Sequence, residues 1–375
     1  MIIGIVCYPT FGGSGVVATE LGMELSKRGH DVHFITYKQP VRLAQVSRNI
    51  HFHEVSISEY PLFHYQPYEL ALSSKLVNMV KKYKIEILHV HYAIPHAYAG
   101  YMAKQMLAEE GIHIPMVTTL HGTDITLVGN HPVYKPAVTF SINQSDVVTS
   151  VSESLKADTL KLFDIKKEIQ VIPNFIDISK RRMVIKHEQR KWVAQDNERI
   201  ITHISNFRKV KRTADVIRIF YQIQKNIDAK LLLVGEGPEI EPDREMVNAL
   251  GMADKVLFMG ASTEVNKILA ISDLFLLPSE AESFGLAALE AMVNETPVVS
   301  SNVGGLPEVN IQGVSGFLSA VGDVDEMAKN AIYLLENEER LNKFKKAARR
   351  VSNKFDIEKI VPFYEEVYSQ ALKKQ

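Results

Sequence analysis

Residues 280 to 292 read Glu-Ala-Glu-Ser-Phe-Gly-Leu-Ala-Ala-Leu-Glu-Ala-Met, so Glu282 and Glu290 bracket the start of an apolar, helix-forming run. That spacing suits a polyhydroxylated ligand. Carboxylates accept from hydroxyls, and the first N–H groups of the helix, from about Phe284 through Gly285 to Leu286, have no intrahelical acceptor and can donate. Helical side chains lean toward the N-terminus, so Glu290 in the second turn points back at whatever Glu282 and those amides hold. Glu282 alone reads equally well as a capping carboxylate. Glu290 is harder to explain that way, because Leu286, Leu289, Met292 and Val293 surround it and a charge among them needs partners. The apolar run 273–277, stopped by Pro278, makes the unit strand, loop and helix, with the loop at the carboxyl end of the strand, where open α/β sheets bind ligands.

Other polar groups fall at similar places. The first apolar run ends in Tyr8-Pro-Thr-Phe-Gly-Gly-Ser-Gly15 and opens into a helix, the setting in which backbone amides at Gly13 and Ser14 can approach a phosphate. The spacing is not that of a dinucleotide fingerprint, and the second strand ends Thr36-Tyr37-Lys38 without a ribose-binding carboxylate, which disfavours NAD. His121-Gly-Thr-Asp124 follows the run 116–120, with Thr123 or Asp124 as a helix cap. His89 and His91 share one face of a strand; without further ligands at a recognisable spacing they read as packed or hydrogen-bonded rather than metal-binding. In the second half, Ser205-Asn-Phe-Arg-Lys-Val-Lys-Arg212 places Arg208 and Lys211 after a strand, where they can neutralise a departing diphosphate or form a solvated basic turn.

The elements that must hold these residues alternate as βαβ. Strand-like runs at 2–7, 32–36, 87–90, 116–120 and 147–151 are separated by helical stretches, and the pattern resumes at 200–205, 230–234, 256–259, 274–277 and 297–300. The class is α/β, with two Rossmann-like domains: residues 1–177, a connection at 178–199, residues 200–356, and a helix at 357–375 that crosses back to the first domain. A chain of 375 residues suits two such cores. The formal net charge of −1 gives no global reason to expect nucleic acid or an anionic membrane, and no apolar run is long enough to span a bilayer. A single cysteine, Cys7, and an amino terminus without a charged leader point to the cytoplasm.

The whole set of motifs resembles glycosyltransferase family 4, enzymes of the GT-B fold whose two parallel sheets face a central cleft. The Glu-x7-Glu pair, the Gly-Gly-Ser-Gly loop at 12–15, His-Gly-Thr-Asp at 121, Pro-Asn-Phe-Ile-Asp at 173 and Gly-Glu-Gly-Pro-Glu at 235 stand in the family's order. The resemblance implies that Glu290 binds the nucleotide ribose. It assigns the sugar hydroxyls to Glu282 with the backbone at 284–286, the diphosphate to Gly13 and Lys211, and the sugar near the reacting carbon to His121. It further implies retention of configuration, no metal and no cofactor. Asn206 stands where many members carry Arg, and Arg208 is the nearby charge that could replace it.

The variant motifs, among them Ile50-His-Phe-His-Glu-Val55 and His91-Tyr-Ala-Ile-Pro-His96, are similar to one branch in particular. That branch joins N-acetylglucosamine from UDP-GlcNAc to the hydroxyl of L-malate in bacillithiol biosynthesis. Malate needs cations or several donors; Arg42, Lys75 and Lys135, which read as readily as exposed helix or loop charges, are the candidates with the hydroxyls of Tyr92, Thr119 and Ser14, and the aromatic segment 60–68 is either a wall of that pocket or a loop packed on its own domain. The alternatives are a lipid or polysaccharide acceptor, a UDP-GlcNAc epimerase of the same architecture, and a nucleotide-sugar sensor. The expected partners are the small-molecule substrates; the oligomeric state is open, a homo-oligomer included.

Overall fold

The computed structural model describes residues 1–10, 12–43, 48–57, 66–180 and 189–373. Residues 60–65 of the aromatic segment and 181–188 of the basic stretch therefore lie outside the described residues. The chain divides into two compact units, Met1–Phe175 with Ile357–Gln375, and Ile176–Asp356.

In the first unit, β1 (Ile2–Val6), β2 (Asp31–Thr36), β3 (Ile50–Glu54), β4 (Ile87–His91), β5 (Met116–Leu120), β6 (Val147–Ser150) and β7 (Ile169–Val171) form one sheet. Their order is β3-β2-β1-β4-β5-β6-β7 and every pairing is parallel. Apolar runs such as Ile-Ile-Gly-Ile-Val are what a sheet covered on both faces requires. Helices α1 (Gly13–Lys27) and α2 (Tyr68–Tyr83) supply part of that cover, α2 through Leu72, Leu76 and Val80. The strand order reverses between β1 and β4, so the loops leaving these neighbouring strands open a crevice at their carboxyl ends.

The carboxyl-terminal helix Ile357–Lys373 packs in this first unit. Tyr364 and Tyr368 are fully buried, the Tyr368 hydroxyl lies 2.7 Å from His89 Nδ1, and Glu365 meets His30 at 2.9 Å and Arg28 at 3.3 Å.

The second unit repeats the plan with β8 (Arg199–Ile204), β9 (Ala229–Val234), β10 (Val256–Gly260), β11 (Leu274–Leu277), β12 (Val298–Ser301) and β13 (Gly316–Ser319). The order β10-β9-β8-β11-β12-β13 places its reversal between β8 and β11. Its core joins strand residues such as Ile201, Leu231 and Leu276 to Val216, Ile217 and Phe220 of the helix Thr213–Ile223.

Candidate active site

In the second unit, the two motifs that follow β8 and β11 meet at the reversal point. Lys211 Nζ bonds Glu282 Oε1 at 2.5 Å, and the same oxygen accepts from Ser279 Oγ at 3.1 Å. The loops are tied by a backbone bond from Glu280 N to Val210 O, 2.8 Å. Lys211 and Glu282 are 20% and 14% exposed, enough for a ligand to reach both. Of the four cations at this turn, Arg212 is held by Asp215 at 2.6 Å, while Arg208 is exposed. Asn206 is exposed at the same turn.

The helix that bears Glu290 starts later than its sequence suggests, at Leu286, with Gly285 at its N-cap in a left-handed conformation (φ 97°). A Cβ there would come within 2.6 Å of Leu306 Cδ2, so the turn demands glycine. The unpaired amides are those of Gly285 to Ala288. Phe284 falls outside that set, its ring buried edge-on against Phe355 at 5.5 Å. Glu282 is not a cap, since it precedes the N-cap by three residues. Glu290 is half-buried in the second turn.

His203, which sequence reasoning did not single out, braces this site from beneath. Buried in β8, it donates through Nδ1 to Leu276 O of β11 at 2.9 Å, and its Nε2 lies 2.8 Å from Ser205 Oγ, which accepts from Phe207 N. Burial, with Lys211 nearby, lowers its pKa to about 4. The signal was His203 and Ser205 two residues apart at the end of a strand.

In the first unit, the loops after β1 and β4 meet in the same manner. Ser14 Oγ and Tyr92 Oη share a hydrogen bond of 2.6 Å, and the Tyr92 ring lies 5.1 Å from that of His121. Helix α1 begins at Gly13, which exposes the amides at its start. The residue that must be glycine is Gly15, where a Cβ would sit 2.5 Å from the carbonyls of Tyr8 and Thr10. His121 is buried beside a line of imidazoles: its Nε2 is 2.8 Å from His91 Nδ1, His91 stacks on His89 at 4.4 Å, and His96 Nδ1 donates to His91 O. Burial lowers the pKa of His89 and His121 to about 3, that of His96 to about 4, and that of His91 well below the usual range. At neutral pH all four are uncharged.

Asp124 fixes this arrangement. It is buried, and its carboxylate accepts from Ala93 N at 2.9 Å, Gly122 N at 2.9 Å and His121 N at 3.2 Å, tying the loop after β5 to the loop after β4. Burial raises its pKa to about 6 against the pull of those bonds. An amide cannot accept on both of its ends, so Asp124→Asn strands at least one buried N–H. We expect it to lower stability by about 1–3 kcal/mol. Thermal unfolding at pH 7.5 checks this, and an unchanged melting temperature would refute it.

The acceptor candidates separate. Arg42 is paired with Glu20 of α1 at 2.8 Å. Thr119 is a correction: it is fully buried, and its hydroxyl is spent on His89 Nε2 and Thr149 Oγ1, both at 2.7 Å, so it faces no ligand. Lys75 lies on α2, close enough to His53 to help lower that residue's pKa, and Lys135 Nζ sits 5.8 Å from the Phe163 ring. Neither joins the cluster of Ser14, Tyr92 and His121 among the described contacts.

Two doubly wound parallel sheets, each with polar loops paired at its reversal point, define the architecture of GT-B glycosyltransferases. The solved structure of Anabaena Alr3699/HepE in complex with UDP and glucose matches with a TM-score of 0.83 at 20% identity, covering 98% of this chain and 99% of that one. The model of Glycosyltransferase Family 4 matches residues 11–180, and that of glycosyl transferases group 1 matches residues 184–351. N-acetyl-alpha-D-glucosaminyl L-malate synthase of Bacillus anthracis is 48% identical over 376 residues, spanning 99% of this chain and 97% of the relative. Alpha-monoglucosyldiacylglycerol synthase of Streptococcus pneumoniae is 26% identical over 313 residues, spanning 78% of this chain and 68% of the relative. This chain belongs to glycosyltransferase family 4 and is a hexosyltransferase. No described helix is long and apolar enough to cross a membrane.

Proposed function

We propose that this chain transfers N-acetylglucosamine from UDP-GlcNAc to the hydroxyl of L-malate, with retention of configuration and release of UDP, as a step toward bacillithiol in the cytoplasm. The observation that carries the reading is the 48% identity, over nearly the full length of both chains, to a relative named for that synthesis. A lipid acceptor has the weaker support, a relative of 26% identity.

In this reading Glu290 holds the ribose, and Glu282 with the amides of Gly285 and Leu286 holds the sugar hydroxyls. In the second unit Lys211 and Arg208 take the diphosphate; in the first, the amides at Gly13 suit a phosphate and His121 suits donation to a sugar oxygen. The Lys211–Glu282 pair supports this division, because a donor substrate can exchange one ion pair for two better-matched contacts, phosphate on lysine and hydroxyl on carboxylate. Ser14 at the start of α1, with Tyr92 and Arg42 on the segments after β4 and β2, are the acceptor contacts the proposal keeps.

No motif of the sequence marks a carboxylate beneath the sugar ring as the enzyme nucleophile that a double displacement needs. We therefore take the front-face route, in which the departing phosphate accepts the malate hydroxyl proton as the new bond forms. No metal is assigned to the step, since Lys211 and Arg208 meet the charge that develops on UDP.

The test is to incubate the purified chain with UDP-GlcNAc, with and without L-malate and without added divalent metal, following UDP release, product mass and anomeric configuration. A malate-dependent, α-linked adduct is expected. UDP release indifferent to malate, or conversion of UDP-GlcNAc without acceptor, would overturn the assignment.

A further inference from the structure

The outer edge of the first sheet carries a second polar cluster that the transfer reading does not use. Asp31 and His33 share one face of β2, His51 and His53 share one face of β3, and the parallel register sets His33 directly beside His51. His51 Nε2 donates to Asp31 Oδ1 at 2.8 Å, and His33 Nδ1 lies 2.8 Å from His53 Nε2. The Tyr83 ring, at the end of α2, covers the group at 4.7 Å from His33 and 4.8 Å from His53.

His33 is 1% exposed, yet its Nε2 has no hydrogen-bond partner; the nearest carboxylate oxygen, Asp31 Oδ2, is 3.8 Å away. One ligand atom from each of Asp31, His33 and His51 lies within 4.8 Å of the others, and among the described residues this is the one such group of three. His53 Nε2 stands within hydrogen-bond reach of His33 Nδ1 and can accept its proton. His33 then presents Nε2 as a lone pair beside a carboxylate and a second imidazole. An imidazole whose far nitrogen is anchored by an outer partner is the usual arrangement of a metal-binding histidine.

We propose that Asp31, His33 and His51 form a binding site for a divalent first-row transition ion, with zinc as the best fit, and that His53 orients His33 within it. Two imidazoles and a carboxylate leave the fourth tetrahedral position to water. Bonds of about 2.0–2.2 Å require the ligand atoms to close further. His33 is fixed by burial, while Asp31 and His51, with side chains 41% and 37% exposed, can move to it. Asp31 begins β2, so the site lies at the amino ends of the strands, away from the loops that carry Ser14, Tyr92 and His121. Its effect would be to pin edge strand β3 to the sheet.

The full chain, stripped of metal, is titrated with zinc alone against a chromophoric chelator, and cobalt is used for its visible spectrum. We expect one equivalent bound, a tetrahedral cobalt spectrum, at least tenfold weaker binding in Asp31→Asn and His51→Gln, and roughly tenfold weaker binding in His53→Gln, which removes no ligand. Asp31 and His51 are half-exposed, so those two variants should unfold cooperatively like the parent. Absence of stoichiometric binding, or binding that Asp31→Asn and His51→Gln leave unchanged, would overturn the proposal.

Discussion

Replacing Lys211 with alanine should lower kcat roughly 100- to 1,000-fold, the loss typical of removing one preorganised donor from a developing anion, while the KM for UDP-GlcNAc changes by only a few-fold. Lys211 is paired with Glu282 at 2.5 Å. Without ligand, the lysine is already neutralised by that carboxylate, so binding the diphosphate exchanges one partner for another and gains little. As the bond to the sugar breaks, negative charge accumulates on the departing phosphate, and only then does the ammonium bring an interaction absent from the ground state. The same variant leaves Glu282 with Ser279 as its recorded neighbour, so folding has to be checked beside the kinetics. Lys211→Arg, which keeps the charge, should recover part of the rate. Equal losses in kcat and in donor affinity would mean that Lys211 serves binding alone, and an unchanged kcat would remove it from the chemistry.

The second large effect concerns acid. The chain should lose stability steeply between pH 6.5 and about pH 4, because His89, His91, His96 and His121 are buried uncharged in the folded state and free to protonate in the unfolded one. The sign follows from linkage. A base whose folded pKa is depressed gives the unfolded state more protons below pH 6.5, so stability is fully present above that pH and drains away as pH falls toward the folded values. Each such group loses about 1.4 kcal/mol per pH unit in that window. Asp124 runs the other way, since its raised pKa favours the folded, protonated form below about pH 6, and it offsets part of the loss. The net penalty for this unit is on the order of 5 kcal/mol at pH 5.5, comparable with the whole stability of many domains. Urea unfolding at pH 7.5, 6.5 and 5.5, followed by the fluorescence of the tyrosines around the cluster, measures it. A midpoint independent of pH across that range would show that these rings take up protons while folded.

The sequence was most legible where strands are buried on both faces. Continuous apolar runs such as Leu-Phe-Leu-Leu at β11 and Ile-Ile-Gly-Ile-Val at β1 have one reading, and both are strands. The pattern failed at the margins of the sheets. Edge strand β3 reads Ile-His-Phe-His-Glu and is only partly buried, while β7 has three residues and β13 four, too few for a period to show. Glu282 and Lys211 in the second unit, and Ser14, Tyr92 and His121 in the first, could be named as candidates because each follows a strand, and reversal points in strand order collect such segments. What held them was less visible. Asp124 was readable only as a helix cap, and its bond to Ala93 crosses between loops that only the fold brings together. Thr119 looked like an available hydroxyl because its neighbours on β4 and β6, His89 and Thr149, are 30 residues away in either direction.

The contact between His91 and His121 also decides what kind of group this chain can offer a substrate. Two neutral rings meeting nitrogen to nitrogen at 2.8 Å share a single proton. If His121 supplied it, the proton of His91 would sit on Nε2, which is buried and has no acceptor. An orphaned N–H is rarer in proteins than a bare acceptor, so His91 is the donor. His121 then accepts at Nε2 and must carry its own hydrogen on Nδ1. An imidazole in that tautomer can stabilise an oxygen but cannot take a proton from one through the same atom. Catalytic deprotonation of an alcohol is therefore closed to His121 by a residue one strand away.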